Sequence, residues 1–208
     1  MSDVIEQIDK GIMVEITDVK QALSADKSVC GVLIREFDLD FIEDVMDAIS
    51  LPVIASCRVG HFVEARILEK TGVAMIDEST RSTMPHMGKK EFSTPFMCRV
   101  ETLEEIAKRS EEGASAVRTE FNTIDAVAGF VKEAKEAYPS MRMCASLTTA
   151  TPADVALLFQ IGCDTIIISS EIFSSPNPPK LMDALVKTAR YYNDMEKIAL
   201  FSKSVTRA

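Results

Sequence analysis

The residues best suited to chemistry in this sequence stand where eight short apolar runs end. They are Glu15, Arg35-Glu36, Ser56-Cys57-Arg58, Asp77-Glu78, Arg99, Arg118-Thr119-Glu120, Ser146-Leu147 and Ser169-Ser170-Glu171. Most of them are carboxylates, arginines or hydroxyls. The arginines could bind an anion, or they could pair with the nearby carboxylates and hold the fold together. The acidic residues Glu15, Asp77, Glu120 and Glu171 could also gather around a divalent cation.

Lysine is missing from these positions. A Schiff-base mechanism needs a lysine whose pKa is lowered at a buried strand end, and none of the thirteen lysines has such a place in the sequence. Eleven fall on predicted helices, helix starts or turns. Only Lys89 and Lys90 fall in a loop that we expect at the functional face. The sequence therefore predicts no Schiff-base chemistry at the strand ends.

The elements that position these residues follow a regular rhythm of short apolar runs and amphipathic segments. The runs are Ile12–Ile16, Val29–Ile34, Val53–Cys57, Ala74–Asp77, Phe96–Val100, Ser115–Arg118, Arg142–Ser146 and Thr165–Ser169. The segments between them carry apolar residues at three- and four-residue spacing, which is typical of helices. Among them are Leu39–Ile49, Phe62–Lys70, Thr102–Glu112, Ile124–Tyr138 and Pro152–Ile161.

Turn and cap residues support this division. Gly72, Gly113 and Gly162 each stand between a helical segment and the next apolar run, where glycine supplies a left-handed turn at low cost. Thr102, with Glu105 three residues later, marks a helix start. The exception to the rhythm is Thr80–Ser93, which predicts an irregular loop at the functional face.

Short strands separated by helices predict a parallel sheet with both faces covered. Eight such strands can form an open doubly wound sheet or a closed barrel. No GxGxxG motif follows the first run, which removes the main reason to expect a dinucleotide-binding sheet. We therefore predict an α/β fold, a (β/α)8 TIM-type barrel with eight parallel strands and shortened loops, as a single domain over residues 1–208.

Two turns of the predicted barrel are poorly suited to phosphate. Barrels often bind this group after the seventh and eighth strands, where glycine-rich turns and a helix N-terminus present backbone N–H groups. Here the turns read ASLTTATP and SSEIF, without a glycine. Glu171 would add a negative charge beside the anion, which costs electrostatic energy. The hydroxyls of Thr148, Thr149 and Ser170 could still bind an anion weakly.

Composition limits the class of protein and its partners. With 47% hydrophobic and 26% charged residues, a chain of 208 residues can bury an ordinary core. The formal net charge of -9 argues against nucleic acid or an anionic membrane as a partner. No apolar run approaches the roughly 20 residues of a membrane span, and no signal peptide is evident, so we expect a cytoplasmic protein. The five cysteines lack CxxC spacing, which predicts free buried thiols.

Several blocks of the sequence resemble a known family. They are SLPVIASCRVGHFVEARILEKTGVAMIDES, Glu91–Cys98 with the preceding HMGKK, EEGASAVRT, ATPADVALLFQIGCD and IFSSPNP. The chain resembles, over nearly its whole length, the synthase subunit of glutamine-dependent pyridoxal 5'-phosphate synthase, a (β/α)8 barrel. The resemblance implies rings of six subunits and stacks of twelve. It also implies an enzyme that joins a pentose phosphate, a triose phosphate and ammonia from a glutaminase partner, with two lysines that hold the sugar in turn.

Both lysine positions of that family carry other residues here. The first lysine belongs to a motif like PVMAKARIGH, and PVIASCRVGH has Ser56 in its place; the second belongs to a motif like LRTKGE, and VRTEF has Glu120. Glu15 matches an aspartate. The expected glycine pairs are replaced at Phe121-Asn122, Leu147-Thr148 and Ser169-Ser170-Glu171. The residues that match are Arg58, His61, Asp77, Glu78, His86, Lys89 and Arg118. Two segments are shorter than in the family, one after the second strand and one between the sixth and seventh strands.

These differences predict a pseudoenzyme. A serine cannot form an imine, and a carboxylate disfavours a bound phosphate. We expect Glu15, Ser56 and Glu120 to be catalytically inactive and the chain to act as a structural or regulatory subunit. Its partners would be copies of itself, an active synthase homologue or a glutaminase subunit, and no cofactor or metal is expected. The remaining ligand contacts would be Arg58, Asp77, Glu78, Arg118, Ser169 and Ser170.

Two alternatives remain open at this point. The barrel could bind or convert another small sugar or sugar phosphate, with Arg58, Arg118, Asp77 and Glu15 around its pocket. An active synthase would instead need Lys89 or Lys90 to swing into the barrel.

Three further side chains have simpler interpretations. His61 opens a helix and is expected to be a cap or a core residue and not a general base. His86 has no histidine or cysteine at metal-ligand spacing in the sequence. Cys57 stands beside the lost lysine position, but a buried inert thiol is expected there.

Overall fold

A computed structural model describes residues 2–25, 28–121 and 123–206, and in this part of the chain eight parallel strands close into a barrel. The strands are β1 (Gly11–Glu15), β2 (Gly31–Ile34), β3 (Val53–Arg58), β4 (Met75–Thr80), β5 (Phe96–Arg99), β6 (Ala116–Thr119), β7 (Arg142–Leu147) and β8 (Thr165–Ile168). Each strand pairs with the next in chain order. The ring closes where β1 pairs with β8, from Gly11 beside Thr165 to Val14 beside Ile168. The predicted (β/α)8 barrel is confirmed.

Helices cover the outside of the barrel. They are α1 (Ser2–Gln7), α2 (Val19–Ala25), α3 (Leu39–Ala48), α4 (Phe62–Thr71), α5 (Leu103–Glu112), α6 (Ile124–Ala137), α7 (Pro152–Gln160), α8 (Pro178–Arg190) and α9 (Met195–Thr206). The five segments named from the sequence are confirmed as α3 to α7. The other four helices, α1, α2, α8 and α9, were not predicted from the sequence, and α1 and α2 are too short to show a period. Within the described residues, no helix is both long and apolar enough to cross a membrane.

The predicted caps are present. Gly72, Gly113 and Gly162 have φ angles of 92°, 97° and 107°, in the left-handed region that favours glycine. Thr102 accepts a hydrogen bond from the backbone N–H of Glu105, whose side chain accepts one in return from the backbone N–H of Thr102. The helices that end at these three glycines therefore stop within a few residues of the next strand, which keeps those connections short.

The segment between β4 and β5 contains no helix, as predicted. It starts at the strand ends but must return to the beginning of β5, because it replaces a crossover helix. The backbone N–H of Lys89 donates to the carbonyl of Glu112 at the end of α5, and Lys90 lies beside Gly113. The expectation that Lys89 and Lys90 lie at the functional face is therefore wrong.

The barrel interior is filled in layers, because side chains alternate between the two faces of a strand. One apolar layer contains Met13, Leu33, Ile54, Met75, Met97, Ala116, Cys144 and Ile167. The next inward position on each strand lies two residues later, and there every residue is polar. This polar layer consists of Glu15, Arg35, Ser56, Asp77, Arg99, Arg118, Ser146 and Ser169. The apolar layer thus fills the barrel interior beneath the polar layer. The polar side chains inside the barrel therefore lie at the C-terminal ends of the strands.

Candidate functional site

The polar layer and the turns above it form the barrel mouth, the usual place of active sites in this fold. A cavity of about 170 Å³ opens there. Its walls include Glu15, Arg35, Glu120, Ser146 and Ser169, with Thr148 and Glu171 at the turns after β7 and β8. Of the predicted contact residues, the structure brings Asp77, Arg118 and Ser169 to this region, together with the three family positions Glu15, Ser56 and Glu120.

A buried ion pair lies under the cavity. Arg118 and Asp77 are both 0% exposed, and Nε and Nη2 of Arg118 donate to the two carboxylate oxygens of Asp77 at 3.1 and 3.2 Å. Hydroxyls of Ser56 and Ser79 donate to Oδ2 of Asp77 at 2.8 and 2.5 Å. Burial acts to lower the pKa of Arg118, but the carboxylates of Asp77 and Glu120 together outweigh it and raise that pKa. Arg118 is therefore a charged structural partner of Asp77.

A second set of ion pairs crosses the cavity wall. Arg35 bonds Oε1 of Glu15 through Nε at 2.7 Å and also through Nη2, and its Nη2 donates to Oε1 of Glu120 at 3.0 Å. Nη1 of Arg118 reaches Oε2 of Glu120 at 3.0 Å. Burial acts to raise the pKa of Glu120, but the charge of Arg118 and the bonds from Arg35 lower it. Glu120 is thus a carboxylate held between two arginines.

Arg35 was recognised from the sequence as a strand-end residue but was not among the expected ligand contacts. It follows β2 by one residue and therefore shares the inward-facing position with Leu33, two residues before it. That parity could have identified it.

This arrangement limits what the mouth can do. The arginines donate to carboxylates of the protein, so an anionic ligand would have to compete with Glu15, Asp77 and Glu120 for them. The same pairing takes the place of the divalent cation that these carboxylates could have bound. The hydroxyls of Thr148 and Ser169 remain at the wall of the cavity, where a small uncharged ligand could hydrogen-bond to them.

Asp77 and Arg118 lie beneath the cavity, and the other three predicted contact residues, Arg58, Glu78 and Ser170, lie away from it. Strand pairing shifts register between Cys57 and Arg58, and the Arg58 side chain, 53% exposed, turns to Glu64, with Nε 2.7 Å from Oε1. Glu78 neighbours Asp77 and therefore faces the opposite side of the sheet. Ser170 begins a short 3-10 helix, Ser170–Ser174, and only its neighbours Ser169 and Glu171 reach the cavity.

Glu78 belongs to a buried cluster outside the barrel wall. Nζ of Lys89 donates to Oε2 of Glu78 at 2.7 Å, to Oε2 of Glu112 at 2.6 Å and to the Met87 carbonyl at 2.6 Å. Nδ1 of His86 lies 2.8 Å from the same Glu78 oxygen. Burial acts to raise the pKa of Glu78, but the bonds from His86 and Lys89 and the charge of Lys89 lower it to about 2. Lys89 is thus a structural cation whose three N–H bonds are all used.

The position of Lys89 affects two predictions, that no metal is bound near His86 and that Lys89 could swing into the barrel. Glu78, His86 and Cys98 offer ligand atoms within 4.8 Å of one another, a grouping that sequence spacing missed because Cys98 lies on the next strand. The ammonium of Lys89 already supplies the positive charge at Glu78, so we assign no metal to these residues. Because the β-sheet separates Lys89 from the barrel interior, it cannot replace a missing lysine there.

Two other predicted roles can be compared with the structure. The Nδ1 atom of His61 accepts a hydrogen bond from the backbone N–H of Glu64 at 3.2 Å, so His61 caps α4 as expected. Burial raises the pKa of the Cys57 thiol, as do the nearby carboxylates of Glu78 and Asp77, which leaves the thiol protonated and inert.

The turns above the barrel have the character predicted from the sequence. Thr148 and Leu147 line the cavity after β7, and Glu171 lines it after β8. Phe121 also lines it, whereas its neighbour Asn122 lies outside the described residues. A phosphate in this cavity would meet the carboxylates of Glu15, Glu120 and Glu171.

Comparison with known proteins places these observations in a family context. Residues 11–172 match the SOR/SNZ family. The chain is 34% identical over 233 residues to "Pyridoxal 5'-phosphate synthase subunit PdxS" of Bacillus cereus strain B4264, covering 90% of this chain and 78% of that protein. A subunit of the same name from Bacillus anthracis strain A0248 matches to the same extent. Because 233 exceeds the 208 residues of this chain, these relatives contain segments that it lacks.

A solved structure supports the fold. The chain resembles thiamine phosphate pyrophosphorylase from Pyrococcus furiosus with a TM-score of 0.71 and 12% identity, covering 91% of this chain and 99% of that one. At this identity the likeness concerns the barrel architecture alone.

Proposed function

Because the chain belongs to the SOR/SNZ family, we propose that it serves vitamin B6 biosynthesis as a pseudoenzyme. In this proposal it is similar to a pyridoxal 5'-phosphate synthase subunit but does not make the coenzyme by itself. It acts instead as a structural or regulatory subunit, assembled with copies of itself or with an active synthase homologue.

The observation that carries this proposal is the chemistry of the two positions where the resemblance expects a lysine. An imine requires a primary amine that can lose its proton near the sugar carbonyl. Ser56 offers only a hydroxyl, which donates to Asp77, and Glu120 offers a carboxylate bonded by two arginines. Among the lysines of the described residues, none lies on a strand or lines the mouth; Lys27 lies outside that part.

The electrostatics of the mouth support the same conclusion. A pentose phosphate carries a dianionic group, and the cavity wall contains Glu15, Glu120 and Glu171. The guanidinium of Arg35, which could have bound the phosphate, is divided between Glu15 and Glu120. Binding the anion would require breaking these pairs in a partly buried site, which costs free energy. Substrate anchoring and covalent capture are therefore both lost in this proposal.

A structural role in an oligomer requires only the fold that this chain retains. The described part of the chain keeps a closed barrel with helices on its outside. A barrel of this kind could occupy a subunit position beside an active homologue and change the stability or activity of its neighbour.

Co-expression with an active synthase subunit tests the assembly. We expect the tagged chain to co-purify with the homologue, and we expect the tagged chain alone to produce no coenzyme from pentose phosphate, triose phosphate and ammonium. An unrelated barrel protein carrying the same tag serves as the control. A chain that stays strictly monomeric and recovers no homologue would contradict the proposed assembly.

A further inference from the structure

The outer face of α4 exposes three large apolar side chains. Phe62 is 61% exposed, Val63 47% and Ile67 36%. Val63 and Ile67 are four residues apart and therefore lie on one side of the helix, with Phe62 at its first turn. Contact with water is unfavourable for such side chains, at about 25 cal/mol per Å² of apolar surface, so a second surface that covers them would gain free energy.

A shallow groove between α3 and α4 continues this patch. Its volume is about 460 Å³, and Val63 and Ile67 line it together with Glu43 from α3 and Lys70 from α4. Both charged side chains belong to exposed residues. Within the described part of the chain, neither Glu43 nor Lys70 has an ion-pair partner within 4 Å. The groove thus combines an apolar floor with one free charge of each sign.

The remaining charges near the groove determine which pairs a partner could form. Arg66 also lines it, but its guanidinium bonds Glu69 at 2.8 Å and lies 3.9 Å from the centre of the Phe92 ring. Arg66 is therefore already engaged within the chain. On α3, Asp40, Asp44 and Asp47 add to the negative charge of Glu43. Lys70 is accordingly the basic group that a partner's acidic residue would meet.

We propose that this surface, the α3–α4 face (Glu43, Phe62, Val63, Ile67 and Lys70), is a contact between two copies of this chain. A surface that carries an acid and a base around an apolar centre is complementary to itself. A twofold axis through the groove places Glu43 of each copy opposite Lys70 of the other and buries the apolar residues of both. The inference rests on the assembly proposed above and identifies the face that mediates it.

Charge exchange tests the pairing. Glu43→Lys and Lys70→Glu each place like charges opposite one another, so each single variant should weaken self-association at least about tenfold, as measured by sedimentation across a range of concentrations. The double variant restores opposite charges and should recover most of the affinity. Equal weakening in the double variant would overturn the pairing.

A pair of apolar variants tests the surface itself. Phe62→Glu should make the chain monomeric, whereas Leu200→Glu, which alters a residue of α9 that is 63% exposed, should leave the assembly unchanged. Because both positions are exposed, both variants should have the thermal stability of the parent when the comparison is made at a concentration at which the parent is monomeric. The reverse pattern would place the contact on α9 and overturn the proposal. If Phe62→Glu self-associates as strongly as the parent, only the assignment of this face is refuted. If the parent chain is monomeric at every concentration, self-assembly itself is refuted.

Discussion

Replacing Asp77 with alanine is expected to lower the free energy of unfolding by about 3–5 kcal/mol. The substitution leaves the fully buried guanidinium of Arg118 without its bidentate partner. Glu120 still contacts Nη1 of Arg118, but its side chain is 34% exposed and compensates only in part. Ser56 and Ser79 would also lose the acceptor of their hydroxyl groups. Urea denaturation at neutral pH measures the change.

A matched control and a double variant make this test specific. Asp183→Ala removes an ion pair with Lys187 on α8, in which both side chains are more than half exposed, and should cost below about 1 kcal/mol. The variant Asp77→Leu with Arg118→Met removes both charges and should be more stable than Asp77→Ala. If Asp77→Ala costs no more than the control, the buried pair does not have the structural role assigned to it.

Replacing Lys89 with methionine is expected to have an effect of similar size, about 3–5 kcal/mol at neutral pH. Methionine keeps much of the apolar stem but leaves the carboxylate of Glu78, 0% exposed, without the ammonium that neutralises it. Lys187→Met on the exposed pair of α8 is the control, and it should remain within about 1 kcal/mol of the parent.

The pH dependence of this effect follows from the pKa of Glu78. Its pKa in the folded chain, about 2, lies below the ordinary value of 4.5. Such a group contributes stability that is fully present above about pH 4.5 and is lost as the pH falls towards 2, on the order of 3 kcal/mol in total. The gap between the parent and Lys89→Met should therefore narrow from pH 5 to pH 3. A gap that stays constant over this range would show that Glu78 does not depend on the ammonium.

Much of the fold followed from the sequence because its physical causes are local. Buried parallel strands appear as short apolar runs, and residues such as Gly72, Gly113 and Thr102 mark helix ends through their own backbone and side-chain preferences. The polar layer of the barrel could also have been predicted from the sequence, since each of its residues lies two positions after an inward-facing apolar residue. The alternation of inward- and outward-facing residues along each strand would have placed Arg35 in the barrel mouth and Glu78 outside it.

Other features depend on contacts between distant parts of the chain. The shift of register after Cys57 turns Arg58 towards Glu64, and no local sequence pattern predicts this shift. The loop after β4 carries Lys89 behind the sheet, where it meets Glu78 and, through its other bonds, the end of α5. The sequence indicates which charges are present, but their pairing is determined by the closed barrel.

Ser56 and Glu120 remain the centre of the proposed function. In that proposal, the two positions where the resemblance expects a lysine offer a hydroxyl and a salt-bridged carboxylate in place of an amine. The ion pairs of Arg35 and Arg118 also occupy the donors that could have held a phosphate.

The most direct test is the intact mass of the purified chain after incubation with pentose 5-phosphate and borohydride, with an active synthase subunit treated in parallel. Borohydride reduces any imine to a stable amine, so a captured sugar adds its mass permanently. We expect the active subunit to gain one sugar phosphate and this chain to keep its original mass. A stoichiometric adduct on this chain, mapped to any lysine, would contradict the proposal that it is a pseudoenzyme.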